Sequence, residues 1–244
     1  ATNLTQITGT LADINTALTA DSNNEIEIDT DFAAVVTDSS IDAGLINTLG
    51  PNVGQVTVQA TTITGTNAAV KALLADGTIT HGANVNITLD TDEVSTFEDI
   101  TLIHAGTGGT ITAQDITGSH TQIRTLANDP RTTLETSNDA GGEIIVTGNN
   151  TGQDMDMSDV GAKADLTING LGGDDDITGS LGKDIITGGT GDDTIKASGG
   201  IDTIIVTDIE TNGFDQLWEF STDADAASVN KGHDTIQFTK ADLL

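Results

Sequence analysis

Between residues 168 and 204 one large apolar residue recurs every nine positions: Ile168, Ile177, Ile186, Ile195 and Ile204. A helix face needs apolar side chains at intervals of three and four, so a nine-residue period does not line one. It fits short strands that each send one large side chain inward. Written in nines, residues 169–204 read NGLGGDDDI, TGSLGKDII, TGGTGDDTI and KASGGIDTI. Polar columns run in phase with the isoleucines. Gly170, Gly179 and Gly188 form one, with Ala197 in the fourth row; Gly173, Gly182, Gly191 and Gly200 form a second. Asp175, Asp184, Asp193 and Asp202 form a third. A flexible Gly/Asp linker has no reason to keep isoleucine in register.

The two glycine columns let the chain turn with φ > 0 and bring backbone carbonyls toward one point. The aspartates add a carboxylate there. Carbonyls and carboxylates together make an oxygen-only shell, which suits a hard cation such as calcium. The pattern G-G-x-G-x-D-x-U-x resembles the RTX, or haemolysin-type calcium-binding, nonapeptide repeat. The resemblance implies a calcium β-roll over residues 161–210, with two nonapeptides per coil. Asp175 and Asp193 would then share one ion, and Asp184 and Asp202 another on the opposite edge. The second glycine slot departs from the pattern, holding Leu171, Ser180, Gly189 and Ser198. Leu166 and Thr211 fill the Asp slot in the flanking rows, where Asp165, Asp208 and Glu210 are substitute ligands.

A longer pattern runs through residues 1–160. Ile7-Thr8-Gly9-Thr10, Ile63-Thr64-Gly65-Thr66 and Ile116-Thr117-Gly118-Ser119 are each followed by apolar residues three or four apart. That spacing predicts one or two helical turns, with the Thr or Ser after Gly as cap. Strand-like runs follow at 25–29, 85–90 and 143–148, then at 55–60, 110–115 and 166–170, giving a period of about fifty-five residues. This pattern resembles segments of large secreted bacterial S-layer proteins and adhesins that carry RTX repeats. Acidic pairs follow the first strand of each unit: Asp29 with Asp31, Asp90 with Asp92, and Asp154 with Asp156. An Asp-x-Asp at a strand end can chelate calcium through both carboxylates or can simply form a solvated turn. The stretch 154–165 has oxygen side chains at several EF-hand positions, but Asp159 stands where the glycine is needed.

Charge sharpens this picture. The 244 residues include 38 acidic and 8 basic ones, a net charge of −30, which argues against nucleic acid as a partner. Bound divalent cations would relieve that self-repulsion. The chain has no cysteine, so no disulfide or thiolate chemistry is available. Aromatics make up 2 %, too few for an ordinary globular core, while Ile, Val, Leu and Thr favour strands. Four of the six aromatics, Phe214, Trp218, Phe220 and Phe238, lie in the tail and are expected to cover the end of the array. The tail also resembles the segment that follows RTX arrays in type I secretion substrates. No run is long enough to span a membrane, and the first residues do not read as a signal peptide. The sequence has no initiating Met and reads as a processed or partial chain. No HExxH, GxSxG or phosphate-loop pattern is present, so no enzyme is expected.

The resulting expectation is an all-β, right-handed parallel β-solenoid with short helical turns, ending in an RTX calcium β-roll and a C-terminal cap. Its parts are residues 1–160, 161–210 and 211–244. The expected role is that of a calcium-dependent, self-assembling structural protein of a bacterial surface layer or extracellular matrix, secreted to the cell surface. Its partners would be copies of itself, with cell-surface polysaccharide or lipopolysaccharide as anchor. The alternatives are a calcium-rigidified module of a large adhesin and the secretion module of an extracellular enzyme.

Overall fold

A computed structural model describes residues 4–23, 28–49, 53–134, 143–160, 165–207, 213–218 and 234–238. They form twenty strands, gathered in four parallel sheets, and five helices. The expected all-β solenoid is therefore corrected to a mixed α/β architecture. The helices overturn it: α1 Leu11–Ser22, α2 Ala43–Leu49, α3 Asn67–Ala75, α4 Phe97–Gly106 and α5 His120–Ala127.

Three of them start where the sequence pattern predicts a turn or two. Thr10, Thr66 and Ser119 cap α1, α3 and α5 by accepting the N–H groups of Asp13, Ala69 and Gln122. Asp13 and Gln122 return the bond, which completes a capping box at each end. With their caps satisfied, these helices run for 12, 9 and 8 residues. The other two lack the Ile-Thr-Gly motif, and sequence reading missed them. Asp42, just before α2, accepts the Leu45 N–H at 3.0 Å. A short polar residue between a strand and an apolar run is thus the wider signal.

The chain divides into two compact units, residues 1–93 with 98–112, and residues 94–97 with 113–244. In the first, Leu4–Gly9, Ile28–Val36, Gln55–Val58 and Ile79–Thr80 lie side by side in that order. Ser40–Asp42, Thr62–Gly65, Asn86–Leu89 and Ile111–Ala113 form a second row. Ala34 lies beside Val56, and Ile41 beside Ile63, each pair 22 residues apart. Neighbouring helices are tied by Asn47, which donates to the Ala69 carbonyl at 3.0 Å, and by the Lys71–Asp99 ion pair. Two helix starts meet a carboxylate from chain further on: Leu11 N–H donates to Asp38, and Asn67 N–H to Glu93, both at 2.7 Å. That contact favours both partners, because the helix N-terminus is the positive end of its dipole. Phe32, Ile46, Ile63, Leu73, Ile87 and Ile100 are fully buried in this unit.

In the second unit seven strands lie in the order Ser95–Thr96, Ile116–Gly118, Ile144–Asn149, Leu166–Leu171, Ile185–Thr187, Thr203–Val206 and Thr235–Phe238. Asp154–Asp156, Asp176–Thr178, Thr194–Lys196 and Gln216–Trp218 form another sheet. Successive nonapeptides alternate between the two sheets. Ile168 therefore pairs with Ile186, Ile186 with Ile204, and Ile177 with Ile195, each step being two nonapeptides long. All five isoleucines of the column are buried, between 0 and 1 % exposed. The tail aromatics differ from expectation. Phe214, Trp218 and Phe238 are 88, 55 and 48 % exposed, and Phe220 lies outside the described residues.

Candidate cation site

The four repeat aspartates are buried, with 2 % exposure at Asp175, 0 % at Asp184 and 1 % at Asp193 and Asp202. Their positions follow from the strands beside them. Each stands two residues before its inward isoleucine, and a period of two puts both side chains on the interior face. The strand pairing then stacks them in two columns. In one, Gln153 N–H donates to Asp175 Oδ1 at 2.8 Å, and Asp175 N–H to Asp193 Oδ1 at 2.9 Å. Asp193 N–H continues the column to Asp215 Oδ1 at 3.1 Å. In the other, Leu166 N–H donates to Asp184 at 3.0 Å, Asp184 N–H to Asp202 at 2.8 Å, and Asp202 N–H to Asp234 at 2.9 Å.

These bonds use only Oδ1. The Oδ2 atoms of Asp175, Asp193 and Asp202 are buried and have no hydrogen-bond partner. A buried carboxylate oxygen without a partner is costly, and a proton or a cation there would lower that cost. Burial pushes the carboxyls of Asp175 and Asp202 up to about 6, and acidic neighbours add to the effect. Burial raises Asp193 and Asp215 as well. Asp184 is built differently. Its Oδ2 accepts Ser180 N–H at 2.6 Å, and its Oδ1 accepts the Ser180 hydroxyl at 2.9 Å. Deeper burial outweighs these bonds and pushes Asp184 up to about 7.

The first glycine column leaves room for the carboxylate. A Cβ on Gly170 would stand 2.5 Å from Asp175 Oδ2 and closer still to the Gly188 carbonyl oxygen. On Gly179 it would stand 2.7 Å from Asp184 Oδ2 and 2.6 Å from the Ala197 carbonyl oxygen, and on Gly188 it would collide with Asp193 Oδ2. Carboxylate and carbonyl oxygens thus converge where a side chain is missing, a donor set that fits a hard cation. In the second column Gly173, Gly191 and Gly200 have φ of +97°, +126° and +142°, and Gly182 has no positive φ. Among the described residues no three His, Cys, Asp or Glu side chains gather where they could share one metal ion. Each row offers one buried carboxylate, so further ligands would have to be backbone carbonyls.

The other acidic candidates are placed differently. Asp29 lies in the strand Ile28–Val36, Asp31 is exposed on the same strand, and Asp208 lies outside the described residues. Asp90 and Asp92 line an open groove of about 540 Å³ with Glu93, Thr64 and Thr88. Desolvation, then Asp42, Glu93 and Asp92, raise the Asp90 carboxyl. Asp154 and Asp156 flank the buried Met155 and point outward. Hydrogen bonds from Ser158 hold Asp156 below the usual carboxylate range, helped by nearby Arg124. Asp159 takes a 2.8 Å ion pair from Arg124. Sequence reading missed Asp215 and Asp234 as members of the columns. Their signal was the Asp-x-apolar spacing of Asp215-x-Leu217 and Asp234-x-Ile236, hidden by longer connections.

No family model, no curated protein and no solved structure matches the chain. No helix among the described residues is long and apolar enough to cross a membrane.

Proposed function

We propose that the chain is a calcium-dependent structural protein of a bacterial surface layer or extracellular matrix, related to RTX repeat proteins. It is exported by type I secretion and assembles with copies of itself at the cell surface. The observation that carries the reading is the set of unpaired, buried oxygens on Asp175, Asp193 and Asp202. A cation bound there stabilises the folded state and not the unfolded chain, so binding free energy becomes folding free energy. Calcium is the preferred ion because carbonyl-rich, irregular oxygen shells suit it, whereas magnesium demands a tight octahedron and dehydrates reluctantly.

Support for assembly comes from the outer face of the seven-stranded sheet. Thr117, Ile145, Thr167, Ile185, Thr203 and Thr235 lie in one file across six adjacent strands. None carries charge, in a chain whose net charge is −30. The Glu143 carboxylate borders the file, accepting from the Thr167 hydroxyl at 2.6 Å, but an uncharged file lets copies meet with less repulsion than the rest of the surface imposes. The test is a calcium titration of the purified chain, followed by light scattering, negative-stain microscopy and circular dichroism. Ordered assemblies appearing with or after folding are expected. A folded, calcium-loaded chain that stays monomeric at high concentration would reject assembly and favour an adhesin module.

A further inference from the structure

We propose that Asp215 and Asp234 are cation ligands too, and that they make docking of the strands Gln216–Trp218 and Thr235–Phe238 depend on the bound ion. The proposal rests on the calcium reading above and extends it beyond the nonapeptides. Asp215 follows Asp193 by 22 residues and Asp234 follows Asp202 by 32, so neither falls on the nine-residue period.

The backbone hydrogen bonds they make nevertheless repeat those of the repeat aspartates. Thr194 N–H donates to the Asp175 carbonyl at 2.7 Å while Asp175 N–H donates to the Asp193 carboxylate at 2.9 Å. Gln216 N–H donates to the Asp193 carbonyl at 2.7 Å while Asp193 N–H donates to Asp215 at 3.1 Å. Thr235 N–H and the Asp202 carbonyl, at 2.8 Å, repeat the arrangement with Asp234. The Oδ2 atoms of Asp193 and Asp202, buried and without a partner, belong to the residues against which the two strands dock.

Beyond their ladders with Thr194–Lys196 and Thr203–Val206, the two strands bury few of their own side chains. Gln216 and Trp218 are exposed, as are all four residues of Thr235–Phe238. Apolar burial is therefore small, and docking stacks one more carboxylate on each column. A cation removes that like-charge penalty and adds a ligand bond in its place.

The experiment uses the whole chain. Calorimetry counts bound calcium, and hydrogen exchange reads protection at 213–218 and 234–238. Trp218, the chain's single tryptophan, gives an optical signal beside Asp215. Calcium should raise protection of both strands in the parent. Asp215→Asn keeps the Oδ1 acceptor but removes the charge. It should lower the calcium count and require at least about tenfold more calcium to protect 216–218. Asp234→Asn should do the same for 235–238. Leu217→Ala loosens the first strand without removing a ligand and should keep the parent's calcium count, as should the exposed Asp176→Asn. Parent-like stoichiometry and protection in both Asn variants would overturn this inference alone. So would a calcium loss in Leu217→Ala as large as that in Asp215→Asn. A parent that binds no calcium would overturn this inference and the functional reading together.

Discussion

The backbone N–H of Asp175 donates to Oδ1 of Asp193 at 2.9 Å, while Oδ2 of the same Asp193 has no partner. One oxygen therefore holds the chain two rows back, and the other is the atom that the proposed cation would take. The two roles separate by mutation. Asp193→Asn preserves the acceptor and deletes the charge. In EDTA it should stabilise the array, because a buried charge without a counter-ion is gone. In saturating calcium it should destabilise it. Asp193→Ala should destabilise in both conditions, by about 1–3 kcal/mol for the orphaned N–H alone. Thermal melts with and without calcium check the change of sign. Asn and Ala variants that behave alike in EDTA would reject the division.

The metal-free chain should have an inverted pH dependence. Burial raises Asp175 and Asp202 to about 6 and Asp184 to about 7, while an unfolded Asp titrates near 3.9. Between those limits the folded state holds more protons than the unfolded state. Stability contributed by these groups is thus full below about pH 4 and is lost as pH rises through 6 to 7. Ordinary ion-paired aspartates do the reverse. Melting in EDTA should accordingly occur at a higher temperature at pH 5 than at pH 8, and calcium should shrink the difference by replacing the proton. A melting temperature in EDTA that rises with pH over this range would contradict the buried state of these carboxyls.

The nonapeptide rows were legible because period and turn are written in the same nine residues. The pairing of Ile168 with Ile186 and of Ile177 with Ile195 follows from that phase. The caps at Thr10, Thr66 and Ser119 were legible for a similar reason, since a cap is a local hydrogen bond. The class of fold was not. Helices α2 and α4 begin after Ser40–Asp42 and Ser95–Thr96, strands of three and two residues that are too short to establish a period. Asp42 before α2 is a local capping signal that went unread because the Ile-Thr-Gly motif is missing there. Asp215 and Asp234 escaped because insertions move them off the period while strand pairing restores them in space.

Leu171 occupies the slot that Gly189 fills one two-row step later, and both have positive φ, 75° and 116°. A leucine there crowds its Cβ against the backbone at a cost of roughly 1–2 kcal/mol. Its side chain is 39 % exposed, so removing it gives up part of a leucine's burial. Leu171→Gly should therefore change stability by less than about 1 kcal/mol, since relief of the strain is offset by glycine's freedom in the unfolded chain and by the lost burial. The check is chemical denaturation at fixed calcium. A loss of about 2 kcal/mol or more would mean that the leucine makes a contact worth more than its strain.

Ile185 and Ile186 are neighbours of the same type on opposite faces of one strand, the first 37 % exposed and the second fully buried. Ile186 lies between Ile168 and Ile204 in the sheet and belongs to the inward column. Truncating it to alanine removes packing and leaves a cavity, at a cost of about 2–5 kcal/mol. The calcium needed for half-folding should rise accordingly, because the ions must stabilise a weaker fold. Ile185→Ala should cost under about 1 kcal/mol in the monomer. Its effect should appear instead in assembly, since Ile185 stands in the uncharged outer file with Thr167 and Thr203. Folding followed by circular dichroism and assembly followed by scattering, on the same calcium series, separate the two residues. Equal folding losses at both positions would sink the inward and outward assignment. Normal folding and normal assembly in Ile185→Lys would show that copies do not meet through this face.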